Sequence, residues 1–189
     1  MIMLNTMVLL SLLPDLVFAS GNPPAKGEIL PAIKLPVPTD PDEKSYLGVS
    51  GGNVFRIPQI KATVVVIEIF SLYCPQCQAF APEVNVLYTM IAQVPEFKEQ
   101  IKLIGIGAGN SPLEVETFKK SNKVPFPLFP DGDFTIHKLL GEVRTPYFIV
   151  IKINRERSHE VIYSELGAFG EAETFLQRIL KDSGLKQGN

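Results

Sequence analysis

Residues 63–70 read Thr-Val-Val-Val-Ile-Glu-Ile-Phe, and residues 71–82 continue Ser-Leu-Tyr-Cys-Pro-Gln-Cys-Gln-Ala-Phe-Ala-Pro. The first stretch is a near-continuous β-branched run, the pattern of a strand buried on both faces. Such a strand implies a sheet covered by helices on both sides. A helix is predicted over 75–94, where Ala79, Phe80, Val84, Leu87 and Ile91 recur at helical spacing. Pro75 falls in its first turn, where a missing N–H is harmless. Pro82 falls inside it and should kink it.

Outward from this core, a second buried strand is predicted over 102–106 and a helix over 112–120. A short strand over 126–129 is pushed to an edge by Pro127. A helix over 134–140 stops at Gly141. Strands over 147–153 and 160–163 are close enough to form a hairpin, and an amphipathic helix over 171–182 carries Phe175, Leu176, Ile179 and Leu180 on one face. The order is that of an α/β sandwich, parallel in its first half, with a hairpin edge in its second. Residues 21–48 hold Pro23, Pro24, Pro31, Pro36, Pro38 and Pro41. They read as extended chain wrapping the domain, followed by a Gly51-Gly52 turn and a short edge strand over 54–57.

The chain has 189 residues, 46% apolar and 20% charged, with a formal charge of −2 and two cysteines. It is too apolar for a disordered protein, and two cysteines cannot staple a miniprotein of this length. A pI near 5.7 offers no basic surface to nucleic acid. The apolar run 7–13, then Pro14-Asp15 and Val17-Phe18-Ala19, fits a secretory signal peptide cut after Ala19, although no Lys or Arg precedes it. The expected location is the periplasm or another exported compartment, with an uncleaved N-terminal anchor as the alternative. The division is then 1–19 leader, 20–60 extended Pro-rich segment, 61–184 domain and 185–189 tail.

Nearly all the sulfur chemistry sits in Cys74-Pro75-Gln76-Cys77, where a buried strand turns into a helix. Residues i and i+3 on a helix lie roughly 5–6 Å apart at Cβ, within reach of a disulfide. Cys74 starts the helix, where free N–H groups and the dipole favour a thiolate. Cys77 is a turn deeper and more shielded. Cys74 would attack a partner's disulfide, and Cys77 would resolve the mixed disulfide. A structural staple is a weaker reading, because so short a loop yields only about 2 kcal/mol of unfolded-state restriction. A zinc site needs four ligands, and His137 and His159 are not at finger spacing. Two inert buried thiols are the third bland alternative. No metal and no cofactor is expected. Gly105-Ile-Gly-Ala-Gly109 lacks the spacing and the lysine of a phosphate loop and reads as a strand ending in a glycine turn.

Glu68 interrupts the apolar strand six positions before Cys74 and shares a face with Val64, Val66 and Phe70. Burial would raise its pKa and let it serve as acid or base for the inner thiol. The alternative is a carboxylate at the strand end that reaches solvent.

With these motifs the sequence resembles the thioredoxin superfamily, and within it the exported thiol-disulfide oxidoreductases of the TlpA and ResA kind, over roughly residues 25 to 183. The strand, the C-P-Q-C, the Pro82 kink and Arg144-Thr-Pro-Tyr-Phe-Ile-Val150 carry the likeness. The resemblance implies a thioredoxin-like fold: a central mixed sheet flanked by helices, with an N-terminal extension. It also implies an α-β insertion before the helix that precedes a cis-proline. It implies that the Thr145–Pro146 bond is cis, and that Tyr73, Pro75, Gln76, Thr145 and Pro146 bind substrate around catalytic Cys74, Cys77 and Glu68. The implied activity is reduction of disulfides in exported proteins. The partners would be a disulfide-containing protein and a thiol electron donor, the protein itself being a monomer. Two departures stand out: Tyr73 occupies a position where tryptophan is common, and Phe80 replaces a second acid of the ResA type. Two rival functions keep the same fold. One is a peroxiredoxin-like peroxidase, with Ser71 near the attacking thiol but Ile67 where its proline should be. The other is a non-enzymatic domain binding peptide or metal.

Overall fold

A computed structural model of the chain describes residues 21–154 and 158–186. The predicted leader falls on residues 1–19, outside the described residues. The chain order begins with β1 (Lys34–Pro36), α1 (Pro41–Leu47), β2 (Val54–Arg56) and a 3-10 turn at Ile57–Gln59. It continues through β3 (Val64–Phe70), α2 (Pro75–Gln93), α3 (Pro95–Gln100), β4 (Ile101–Ala108) and α4 (Pro112–Ser121). Then come β5 (Leu128–Asp131), α5 (Thr135–Leu139), β6 (Tyr147–Ile153), β7 (His159–Leu166) and α6 (Ala172–Ser183).

Five strands form one sheet in the order β5-β4-β3-β6-β7, and β1 pairs with β2 in a separate antiparallel ribbon. β3 runs parallel to β4 and β4 parallel to β5, whereas β6 is antiparallel to both β3 and β7. Every residue of β3 is buried, as its β-branched run requires. Side chains alternate across the strand. Val64, Val66 and Phe70 meet α2, α4 and α6 on one face. Val65, Ile67 and Ile69 meet the N-terminal extension and the α5 region on the other. Glu68 is in phase with the first face.

The Pro-rich segment is not wholly extended. Asp40 caps α1 by accepting the Asp42 N–H at 2.8 Å, Pro41 opens the helix, and Gly48 closes it in the left-handed region at φ 62°. Proline at a first helical position favours a helix rather than opposing it, and that is why the extended reading of 20–60 fails at 41–47. α3 was not predicted either, and it starts on a proline in the same way. On α2 the buried seam is Cys77, Ala81, Val84, Leu87 and Ile91, with Ala79 exposed.

β5 lies at the sheet edge, two residues later than expected. Leu128 pairs with Gly105, whose N–H donates to the Pro127 carbonyl at 3.0 Å. A Cβ on Gly105 would come within 2.4 Å of Leu128 Cδ2, so the glycine makes this register possible. Gly109 turns the chain after β4 at φ 67°. The glycine run is therefore a close-packed strand and its turn.

Candidate active site

Cys74 is the N-cap of α2, with extended backbone and a half-buried side chain. Its Sγ accepts the Cys77 N–H at 3.3 Å, so the first turn of the helix directs a donor at the sulfur. Cys77 is fully buried on the apolar face of the same helix. Both are free thiols, and they lie within hydrogen-bonding contact of each other.

The two thiols differ electrostatically. Partial burial works against a Cys74 thiolate. Hydrogen bonds from the Thr145 side chain, the Cys77 thiol and the Cys77 and Gln76 backbone outweigh it and leave Cys74 below the ordinary thiol value. Burial pushes Cys77 far above that value, reinforced by its neighbour Cys74. The outer sulfur is the one poised to ionise, as its helix-start position predicts.

The Thr145–Pro146 peptide bond is cis. The Cys74 thiol donates to the Thr145 carbonyl at 3.4 Å, so the segment before β6 faces the dithiol directly. Pro146 is buried and Thr145 half-buried. Clefts open on both sides of this segment. One, of about 390 Å³, is lined by Gln76, Ala79, Phe80, Pro146 and Ala168. The other, of about 500 Å³, includes Ser71, Tyr73, Phe134, Arg144 and Thr145. A larger cleft of about 720 Å³, between residues 29–33 and His159, contains no cysteine and no carboxylate.

Glu68 is 3% exposed, and its Oε1 has no hydrogen-bond partner. Burial, then the nearby Cys74, raises its pKa to about 8. It holds a proton at neutral pH and does not reach solvent.

The structure thus brings Cys74, Cys77, Thr145 and Pro146 together, with Glu68 in electrostatic reach of Cys74. Pro75 and Gln76 are exposed on the first turn of α2. Tyr73 is 69% exposed, and its hydroxyl donates to the Glu114 carboxylate on α4. His137 is half-buried, and its Nε2 donates to the Val143 carbonyl at 2.8 Å. That contact tethers the segment before Thr145.

Sequence reasoning passed over Asn110. It is fully buried, and its Oδ1 accepts the Leu72 N–H at 2.8 Å. The only sequence signal was a polar residue just after a buried strand, which reads equally well as a turn.

A thioredoxin-like family model matches residues 62–157, just over half of the chain. The chain belongs to the thioredoxin-like family. Its two neighbouring cysteines, Cys74 and Cys77, have C-x-x-C spacing and fit a redox dithiol. No curated protein sequence matches it. Among solved structures it is similar to a protein from Chlorobium tepidum assigned as the thiol:disulfide interchange protein DsbE. The identity is 17% and the TM-score 0.64, over 85% of this chain and 99% of that one. It is also similar to StoA from Bacillus subtilis, at 21% identity and TM-score 0.53, over 68% of this chain and 90% of that one. A third is a secreted Mycobacterium tuberculosis disulfide oxidoreductase homologous to E. coli DsbE, at 16% identity and TM-score 0.52, over 69% and 90%. At these identities the likeness establishes the fold.

Proposed function

We propose that the protein is an exported thiol-disulfide oxidoreductase that reduces disulfides in other proteins. The observation that carries this reading is Cys74: a helix-capping thiol with a depressed pKa, 3.4 Å from the carbonyl before a cis-proline and backed by a buried second thiol. The Cys74 thiolate attacks one sulfur of a partner's disulfide. A mixed S–S bond forms, the partner's bond breaks, and its other sulfur leaves as a thiolate and takes up a proton. Cys77 then gives its proton to Glu68 in the fraction of molecules where that carboxyl is ionised, a fraction that grows as pH approaches 8, and attacks Cys74 Sγ. The Cys74–Cys77 disulfide forms, and the second partner sulfur departs as a thiolate that takes up the proton released through Glu68. The partner gains two electrons and two protons, and a thiol donor later returns the pair to the dithiol.

Glu68 suits this step because a base tuned near the working pH is efficient. The clefts beside Pro146 suit an extended polypeptide on either side of the substrate cysteine. Neither Pro75 nor Gln76 is cationic, which favours a reducing pair over a strongly oxidising one. Equilibration of the purified protein with glutathione buffers tests the direction. A potential well below the glutathione range is expected, and one near about −120 mV, as for the strong oxidant DsbA, overturns the reductase assignment. Absence of catalysed insulin reduction in dithiothreitol overturns the oxidoreductase reading itself.

A further inference from the structure

The loop between β3 and α2 owes its shape to side chains from two other elements. Leu72 donates its N–H to Asn110 Oδ1 at 2.8 Å, and its carbonyl accepts from Gln78 Nε2 at 2.7 Å. Asn110 stands just after β4, and Gln78 on the first turns of α2. Both polar groups of one loop residue are thus held by amide side chains. Asn110 Nδ2 also reaches Ser71 Oγ at 3.5 Å. The Ser71 carbonyl accepts the Cys74 N–H at 3.1 Å. The Ser71 backbone also bonds the Cys77 thiol and favours its ionised form.

A fully buried amide is costly unless its hydrogen bonds are made, and Asn110 makes its bonds to this loop. Room is set aside for it. A Cβ on Gly107 would stand 2.9 Å from Val115 Cγ2 and 3.1 Å from both Asn110 Cβ and Asn110 Oδ1, and the Gly107 carbonyl accepts the Asn110 N–H at 3.0 Å. The end of β4 is therefore shaped around an amide that touches neither cysteine yet fixes the residues that touch both.

We infer that Asn110 is a positioning residue for the dithiol: with Gln78 it clamps Leu72, and the clamped loop holds the Ser71 backbone against Cys77 and Cys74. The inference rests on the oxidoreductase reading. Loosening the clamp weakens the Ser71 contact that favours an ionised Cys77, and it frees the Cys74 backbone that Ser71 holds, so that Cys74 Sγ moves off the Cys77 N–H that favours its own thiolate. The reduced form then loses more than the disulfide, and the equilibrium moves towards the disulfide.

The test uses the full chain as wild type, Asn110→Ala, Gln78→Ala and the double variant. Three quantities are read: the pH profile of Cys74 alkylation, the equilibrium constant with glutathione, and the denaturant midpoint. Each single variant is expected to move the alkylation profile to higher pH. Each should also shift the equilibrium about fivefold towards the disulfide, the size of one lost hydrogen bond. Their effects should combine less than additively, because both act through Leu72. A folded Asn110→Ala protein with the wild-type profile and constant overturns the inference, even if its midpoint falls, because a merely structural role moves the midpoint alone. If Asn110→Ala does not fold, the exposed Gln78→Ala variant decides, and wild-type values there overturn it. A wild-type protein that forms no Cys74–Cys77 disulfide in the same buffers overturns the oxidoreductase reading instead.

Discussion

The Cys74 Sγ stands 3.4 Å from the carbonyl oxygen of Thr145, the residue whose bond to Pro146 is cis. Seventy-one positions of sequence separate the two, and the pairing of β3 with β6 closes that gap. On the proposed function, a polypeptide lying along Thr145 would bring its own sulfur beside Cys74. The asymmetry between the thiols follows from the same packing, because Cys74 caps the helix and Cys77 lies on its buried face.

This asymmetry sets the order of labelling. Cys74 is held below, and Cys77 well above, the ordinary thiol value. Thiolate fraction falls about tenfold per pKa unit, so at pH 7 iodoacetamide should modify Cys74 at least about tenfold faster than Cys77. Mass spectrometry of quenched time points reads the ratio. Equal rates would contradict the assignment of outer and inner thiols.

Glu68 gives a pH dependence of known sign. Its folded pKa of about 8 exceeds an unfolded value near 4.5. The folded state therefore binds more protons between those values, and stability falls as pH rises through that window. Glu68→Gln should flatten this slope and raise the denaturant midpoint at pH 8, a gain on the order of a few kcal/mol. The same variant should slow resolution of the mixed disulfide by about 10²-fold and abolish the rise in that rate as pH approaches 8. Stopped-flow measurement from pH 6 to 9 checks both. An unchanged pH–rate profile would show that Glu68 takes no proton from Cys77.

Gly141 joins α5 to the segment that carries Thr145. Its φ is 81°, and a Cβ there would lie 2.5 Å from the Asn22 carbonyl carbon and 2.6 Å from the Pro23 nitrogen. Gly141→Ala should lose at least about 1–2 kcal/mol from the left-handed backbone alone. Displacement of the N-terminal segment adds to this. Chemical denaturation measures the loss, and an unchanged midpoint would mean that the segment is not packed as described.

Much of this was legible from the chain. The β-branched run located β3, the alternation placed Glu68 on the face of Val64, Val66 and Phe70, and the resemblance to the thioredoxin superfamily, rather than the Thr145–Pro146 pattern itself, pointed to the partner of Cys74. What escaped depends on contacts between distant residues. α1 is a helix because Asp40 and Gly48 cap it around Pro41, whereas a count of prolines suggested only extended chain. β5 starts at Leu128 because Gly105 leaves space for that side chain, and strand spacing alone does not show this. Asn110 acquires a role only once the fold sets it beside Leu72, 38 positions away.

Tyr73 tests the outer wall of the site. Its hydroxyl bonds Glu114, but both groups are at the surface, where water screens the contact. Tyr73→Phe should leave the denaturant midpoint unchanged. Tyr73→Ala, which removes the ring beside the cleft, should raise KM for a protein disulfide about fivefold and leave reaction with oxidised glutathione unaltered. Steady-state kinetics with both substrates distinguishes this from general damage, which would slow both.

The most direct test of the attacking and resolving roles is to block each thiol in turn. With insulin as the disulfide substrate, Cys77→Ser should accumulate a stable mixed disulfide through Cys74, visible on non-reducing gels and by mass spectrometry, while Cys74→Ser accumulates none. Accumulation by Cys74→Ser and not by Cys77→Ser would contradict the account.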